Sequence, residues 1–203
     1  MSDRRGERLV EFVQVMEQLR AECSWKREQT HRSLARHLLE ETHEVLEAID
    51  TGDLPHLREE LGDLLLQVYF HAIIAAESGA FTIDDVAGDV IDKMRRRNPH
   101  VFAPPGEERS PGGDAETINE LWESIKAQEK QRDSVHDGIP PTLPALLYAD
   151  KVLDRLQRQG STPTPDAGSP DIGQRLLAVV ADARAAGVDP EQALRDAVRR
   201  LAP

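Results

Sequence analysis

Leu38-Leu-Glu-Glu-Thr-His-Glu-Val-Leu-Glu-Ala-Ile-Asp50 and Glu59-Glu-Leu-Gly-Asp-Leu-Leu-Leu-Gln-Val68 decide the fold of this chain. Both stretches repeat apolar residues at helical spacing and carry acids beside them. An α-helix turns once in about 3.6 residues, so Leu34, Leu38, Val45 and Ile49 set a buried stripe on the first helix. Leu57, Leu61, Leu65, Val68 and Ala72 set one on the second. Thr51-Gly-Asp-Leu-Pro55 between them is a dense turn signal. Two helices joined by so short a turn pack antiparallel.

Between Glu40 and Asp63 stand nine acidic residues and one permanent base, Arg58. A run of acids is ordinarily a solvated helix face. Glu40 and Glu47 fit that reading, because they point away from the stripe. Glu41 lies beside the stripe and Glu44 one step further round. On the second helix Glu60 and Asp63 are three apart on one flank, so they are neighbours. The antiparallel turn lets Glu41 and Glu44 face Glu60 and Asp63. Four carboxylates together raise each other's pKa unless a cation is present. Hard oxygen ligands in that number suit Mg²⁺ or Mn²⁺. Glu40-x-x-His43 matches one ligand pair of a di-iron bundle, but such sites need the pair twice. Glu60-x-x-Asp63 has no histidine, so di-iron ranks below magnesium.

Working outward, helices are predicted over about 7–21, 33–50, 56–78, from Thr82 to before Pro99, from Thr117 to about Arg132, and over 143–159. Thr82 with Asp85 and Thr117 with Glu120 read as capping boxes. Residues 22–32 read as a loop, as do 103–114, which hold three prolines and three glycines. A last helical stretch, 172–201, breaks near Gly187 and Pro190. No strand pattern appears, so the class is all-α. Lys93-Met-Arg-Arg-Arg97 puts four bases into five residues of a chain with net charge −12. Cations favour a helix C-terminus, and this run sits at one. Lys93 and Arg97 also share a face, as a clamp for phosphate oxygens would. Carboxylates, a metal and a basic clamp together are the equipment of phosphoryl chemistry.

The net charge argues against a general nucleic-acid binder, which needs a basic face. Cys23 is the only cysteine, so no internal disulfide forms. The run from Leu64 to Ala76 is too short to span a bilayer and is interrupted by Gln67 and His71. The N-terminus lacks the apolar core of a signal peptide. Cytoplasm is the expected location.

Cys23-Ser-Trp-Lys-Arg-Glu-Gln-Thr-His31, the two quoted stretches and Lys93-Met-Arg-Arg-Arg-Asn-Pro-His-Val-Phe102 closely resemble the MazG nucleoside triphosphate pyrophosphohydrolases. The resemblance covers about residues 8–133. It implies a four- to five-helix bundle completed by dimerisation or higher homo-oligomerisation. It implies hydrolysis of a (d)NTP to (d)NMP and pyrophosphate by Mg²⁺-assisted attack of water on the α-phosphorus. Glu41, Glu44, Glu60 and Asp63 then hold the metal, and Glu40 and Glu44 are candidates for the base. Lys93 and Arg97 meet the triphosphate, Trp122 lies near the base with Lys126 one turn on, and His37 and Arg58 are further substrate contacts. The biological role it implies is nucleotide-pool control or house-cleaning of non-standard nucleotides. A non-catalytic nucleotide-binding regulator on the same fold is the alternative.

Two features depart from the family pattern. The usual Cys-Pro-Trp-Asp opening is Cys23-Ser-Trp-Lys26 here. The C-terminal part also reads as a second, shortened copy. Leu61-Gly-Asp-Leu-Leu-Leu-Gln-Val68 is echoed by Ile172-Gly-Gln-Arg-Leu-Leu-Ala-Val179, and 84–93 by 191–200. The second E-E-x-x-E is missing, and E-x-x-D becomes Asp171-Ile-Gly-Gln174. The expected organisation is a catalytic domain over 1–135 and, over 136–203, a linker and a catalytically dead helical remnant of a second MazG-type repeat.

Overall fold

Local sequence sets the helix boundaries. In the computed structural model, residues 6–103, 112–129 and 133–201 are described. Helix α1 spans Glu7–Glu22, and the short α2 spans Ser24–Glu28. Thr30 opens α3, His31–Thr51, with a capping box. Its hydroxyl accepts from the Ser33 N–H at 3.1 Å, and its own N–H donates to the Ser33 hydroxyl at 2.9 Å. Gly52 ends α3 at φ 70°, a left-handed conformation that glycine adopts without a Cβ clash. One residue on, Asp53 accepts from the His56 N–H at 3.0 Å and opens α4, Leu54–Glu77. Thr82 and Asp85 form the predicted capping box at the start of α5, Ile83–Arg97. Helix α6 is Ala115–Glu129.

Two boundary expectations need correction. The stretch 22–32 is not a continuous loop, since it contains α2 and the first two residues of α3. Thr117 does not open α6. Asp114 does, accepting the Thr117 N–H at 2.9 Å, so the helix begins three residues earlier, at Ala115. Most of the predicted loop over 103–114, and the end of α6 expected near Arg132, lie outside the described residues. Every regular element among the described residues is helical.

By its contacts the chain divides into two units, Met1–Trp122 and Glu123–Pro203. In the first, α4 packs against α1, α3 and α5. Its core is Met16, Leu34, Tyr69 and Phe70, with Phe12, Leu65 and Ile73 against it. The predicted stripes are only partly buried. Leu34, Val45 and Ala72 are, but Leu38, Ile49, Leu61 and Val68 are exposed, at 37–54%. Beside Ala72, the apolar α4 side chains deepest in the unit are Phe70, Ala75 and Tyr69, because α1 covers that side.

In the second unit, α7 (Ala145–Arg158), α8 (Ile172–Ala185) and α9 (Pro190–Arg199) pack on one another. Leu153, Ala178 and Val180 are buried there. Arg184 on α8 ties to Asp150 at 3.1 Å and Asp154 at 2.5 Å on α7.

The α3 cap is checkable. Thr30→Ala leaves the Ser33 N–H without its partner and costs about 1 kcal/mol. Urea unfolding monitored by circular dichroism measures this loss as a lower midpoint.

Candidate metal and phosphate site

The turn Gly52-Asp53 runs α4 back along α3 and brings their acids together. Glu41, Glu60 and Asp63 each place a carboxylate oxygen within 4.8 Å of the other two. Their environments differ. Glu60 is buried, at 9% exposure, Glu41 is half-buried and Asp63 is exposed. Burial pushes the Glu41 carboxyl above its ordinary value of 4.5, and the charges of Asp63, Glu44 and Glu60, with a hydrogen bond to Glu44, push it the same way. Glu44 is exposed and lies outside the three-oxygen grouping, but interacts directly with Glu41.

Glu40 belongs to a different setting. It accepts from Arg36 at 3.1 Å and from His37 at 3.0 Å on the exposed side of α3. The Arg36 hydrogen bond holds its carboxyl below the ordinary value, with the Arg36 charge and His37 adding to this. His37 also meets the edge of Trp25, with ring centroids 6.4 Å apart. Thus His37 contacts Glu40 rather than the acid triplet. Arg58 is exposed on α4.

Lys93 and Arg97 are half-buried one turn apart on α5. The Arg97 guanidinium lies 5.0 Å from the Trp122 ring centroid, so the basic run and the tryptophan do meet. Lys126 pairs with Glu123 at 3.0 Å.

Sequence reasoning missed His56. Its Nε2 lies 2.9 Å from Glu60 Oε1, one helical turn away. The i, i+4 spacing was available in the sequence, but the histidine follows directly on the turn signal 51–55, at the start of the predicted helix. Gln67 and His71 were read only as interruptions of an apolar run. They are one turn apart, and each has a buried atom without a hydrogen-bond partner.

The raised Glu41 pKa has a sign that can be tested. Its folded value is above its unfolded value, so the native state favours protonated Glu41. Ionisation therefore destabilises the fold progressively as pH rises above 4.5 and through the folded pKa. In EDTA, Glu41→Gln should melt higher than the parent at neutral pH. The gap should close as pH falls below the unfolded value. Thermal melts of both proteins from below the ordinary carboxyl value up to neutral pH measure it.

Helices alone bring hard oxygen donors from α3 and α4 to one point, which defines an all-α protein with a candidate divalent-cation site. Residues 29–102 match the MazG nucleotide pyrophosphohydrolase domain. The chain is 40% identical over 216 residues to the nucleoside triphosphate pyrophosphohydrolase/pyrophosphatase MazG of Thermotoga maritima, covering 94% of this chain and 81% of that one. It is 46% identical over 196 residues to a nucleoside triphosphate pyrophosphohydrolase of Mycobacterium tuberculosis, covering 96% of this chain but 56% of that enzyme. Among solved structures it is similar to a mazG-related protein from Thermotoga maritima, with 28% identity and a TM-score of 0.47, over 59% of this chain and 97% of that one. The chain belongs to the MazG nucleotide pyrophosphohydrolase family, a family of hydrolases.

Proposed function

We propose that this chain hydrolyses nucleoside triphosphates to nucleoside monophosphates and pyrophosphate. The observation that carries the reading is the meeting of Glu41, Glu60 and Asp63 oxygens within 4.8 Å. The donor set fits a hard divalent cation: it is all carboxylate, has no cysteine, and is strained by mutual repulsion that a cation would relieve. Glu41, Glu44, Glu60 and Asp63 would hold Mg²⁺ or Mn²⁺. When bound, such an ion supplies charge neutralisation at the phosphates and acidifies water.

The chain's own residues do the rest. Lys93 and Arg97 bind the phosphate oxygens and stabilise the leaving pyrophosphate. Arg97 also orients Trp122 for stacking on the nucleobase, with His37 and Arg58 as further substrate contacts. Of the two candidates for the base, we favour Glu44, which is exposed and interacts with Glu41; Glu40, engaged by Arg36 and His37, is less available. Leu38, Ile49, Leu61 and Val68 form the face on which a second copy completes the bundle. Residues 136–203 act as a remnant without a second active site. In support, Asp171 spends its carboxylate capping α8, accepting from the Gly173 N–H at 2.8 Å.

The deciding experiment mixes the protein, Mg²⁺ and a panel of canonical, deoxy and oxidised NTPs, and assays pyrophosphate. Release of pyrophosphate with the matching monophosphate supports the enzyme. Binding without product supports a nucleotide-sensing regulator. Lys93→Ala removes a charge-assisted contact made to the bound phosphates and strengthened as pyrophosphate leaves, so kcat/KM should fall about tenfold or more, with kcat falling as well as KM rising. Steady-state kinetics on the best substrate measures this.

A further inference from the structure

Gln67 is 4% exposed, yet its Oε1 has no hydrogen-bond partner. An amide oxygen buried without a partner is disfavoured, and leucine or methionine would fill similar space without that cost. One turn further along α4, His71 has the same defect at Nε2. Its other ring nitrogen is engaged. Nδ1 of His71 lies 2.7 Å from Nδ1 of His31, and the two rings are parallel within 2°. His31 is on the first turn of α3, so this contact fixes the His71 ring across the helix pair.

Position links these atoms to the acids. Glu60, Asp63, Gln67 and His71 follow one another at steps of three or four, so they share one flank of α4. With a rise of about 1.5 Å per residue, Gln67 stands about 6 Å and His71 about 12 Å beyond Asp63 along the axis. Cross-helix contacts bracket this strip: Glu41 meets Asp63 at one end, and His31 meets His71 at the other. A nucleoside whose α-phosphate sits at the acids extends over just such a distance.

We propose that Gln67, backed by His71, is the nucleoside-reading element of this site. Gln67 Oε1 accepts a hydrogen bond from a donor on the nucleoside, either a base N–H or a sugar hydroxyl. The inference rests on the proposed function, since it takes the acid cluster as the α-phosphate end. His71 Nε2 supplies a second polar contact with the same moiety.

The test is equilibrium binding with Mg²⁺, using α,β-imido analogues that resist cleavage. The panel pairs ribo and deoxy forms of the adenine, cytosine and uracil analogues, with inorganic tripolyphosphate as the probe lacking a nucleoside. Gln67→Leu should weaken at least one nucleotide by at least about tenfold and leave tripolyphosphate unchanged. Loss confined to one base in both sugar series assigns a base N–H. Loss of ribose-to-deoxyribose discrimination assigns the sugar. Gln67→Met serves if the leucine variant melts far below the parent. Equal weakening of nucleotides and tripolyphosphate, or no change in either, overturns the proposal. Failure of the underlying reading looks different: the parent protein itself then binds neither the nucleotides nor tripolyphosphate with Mg²⁺.

Discussion

Replacing Glu41 by Gln, or Asp63 by Asn, is expected to reduce pyrophosphate release about 100-fold or more while leaving the helices intact. Each change removes one charge from a three-oxygen grouping and keeps the side-chain volume. Neither residue supports the core. Asp63 is exposed and Glu41 is only half-buried, so no cavity forms. For Glu41 the metal-free protein should even gain stability, because the carboxylate is disfavoured by burial and by three neighbouring acids. The combination is diagnostic: activity falls, Mg²⁺-induced thermal stabilisation disappears, and far-UV circular dichroism stays the same. Wild-type pyrophosphate release by both variants would remove these acids from the site.

The largest effect on stability is expected at Phe70. It is 1% exposed and packs with Met16, Leu34 and Tyr69, joining α1 and α3 to α4. Phe70→Ala should cost about 3–5 kcal/mol, from lost burial and an unfilled cavity. Two cations also lie over the ring, Lys26 Nζ at 5.2 Å and Arg20 Cζ at 6.0 Å from the centroid. Arg20 is paired with Glu77 at 2.6 Å. The partly exposed ion pair contributes less than the ring, and Glu77→Gln should cost under about 1 kcal/mol. Denaturant unfolding of the two variants ranks them. A loss at Glu77 equal to that at Phe70 would mean that the cation, rather than the buried ring, anchors this junction.

How much of this was legible in the sequence depended on the kind of signal. Where one residue sets backbone geometry, the reading largely held: the turn signal 51–55 marked the break at Gly52 between α3 and α4, although Asp53 caps α4 so that Leu54 and Pro55 already lie in the helix, and Thr82 with Asp85 opened α5. Thr117 failed because Asp114, read as the end of the preceding loop, accepts the Thr117 N–H and caps the helix three residues earlier. The wheel separated Glu41 from Glu40 correctly, since angle on a helix is a local property. It could not say which apolar residues a single chain buries. Leu38, Ile49, Leu61 and Val68 have helical periodicity toward something, but α1 covers a different side of α4.

Site residues followed the same rule. Glu41, Glu60 and Asp63 could be paired across an antiparallel turn from spacing alone. The meeting of Arg97 with Trp122 was not in the spacing, because a long segment separates them; only the family resemblance put both near a nucleotide. His56 and Gln67 escaped because a single polar residue beside a turn or within an apolar run carries no periodic signal. Their meaning lies in what they touch or fail to touch, namely Glu60 for one and no partner for the buried Oε1 of the other.

Hydrolysis in ¹⁸O-labelled water, followed by mass spectrometry of both products, tests the central claim most directly. Attack on the α-phosphorus predicts one labelled oxygen in the nucleoside monophosphate and unlabelled pyrophosphate, in a reaction that requires a divalent cation and is lost in Asp63→Asn. Label in the pyrophosphate, or production of nucleoside diphosphate and orthophosphate, would contradict it.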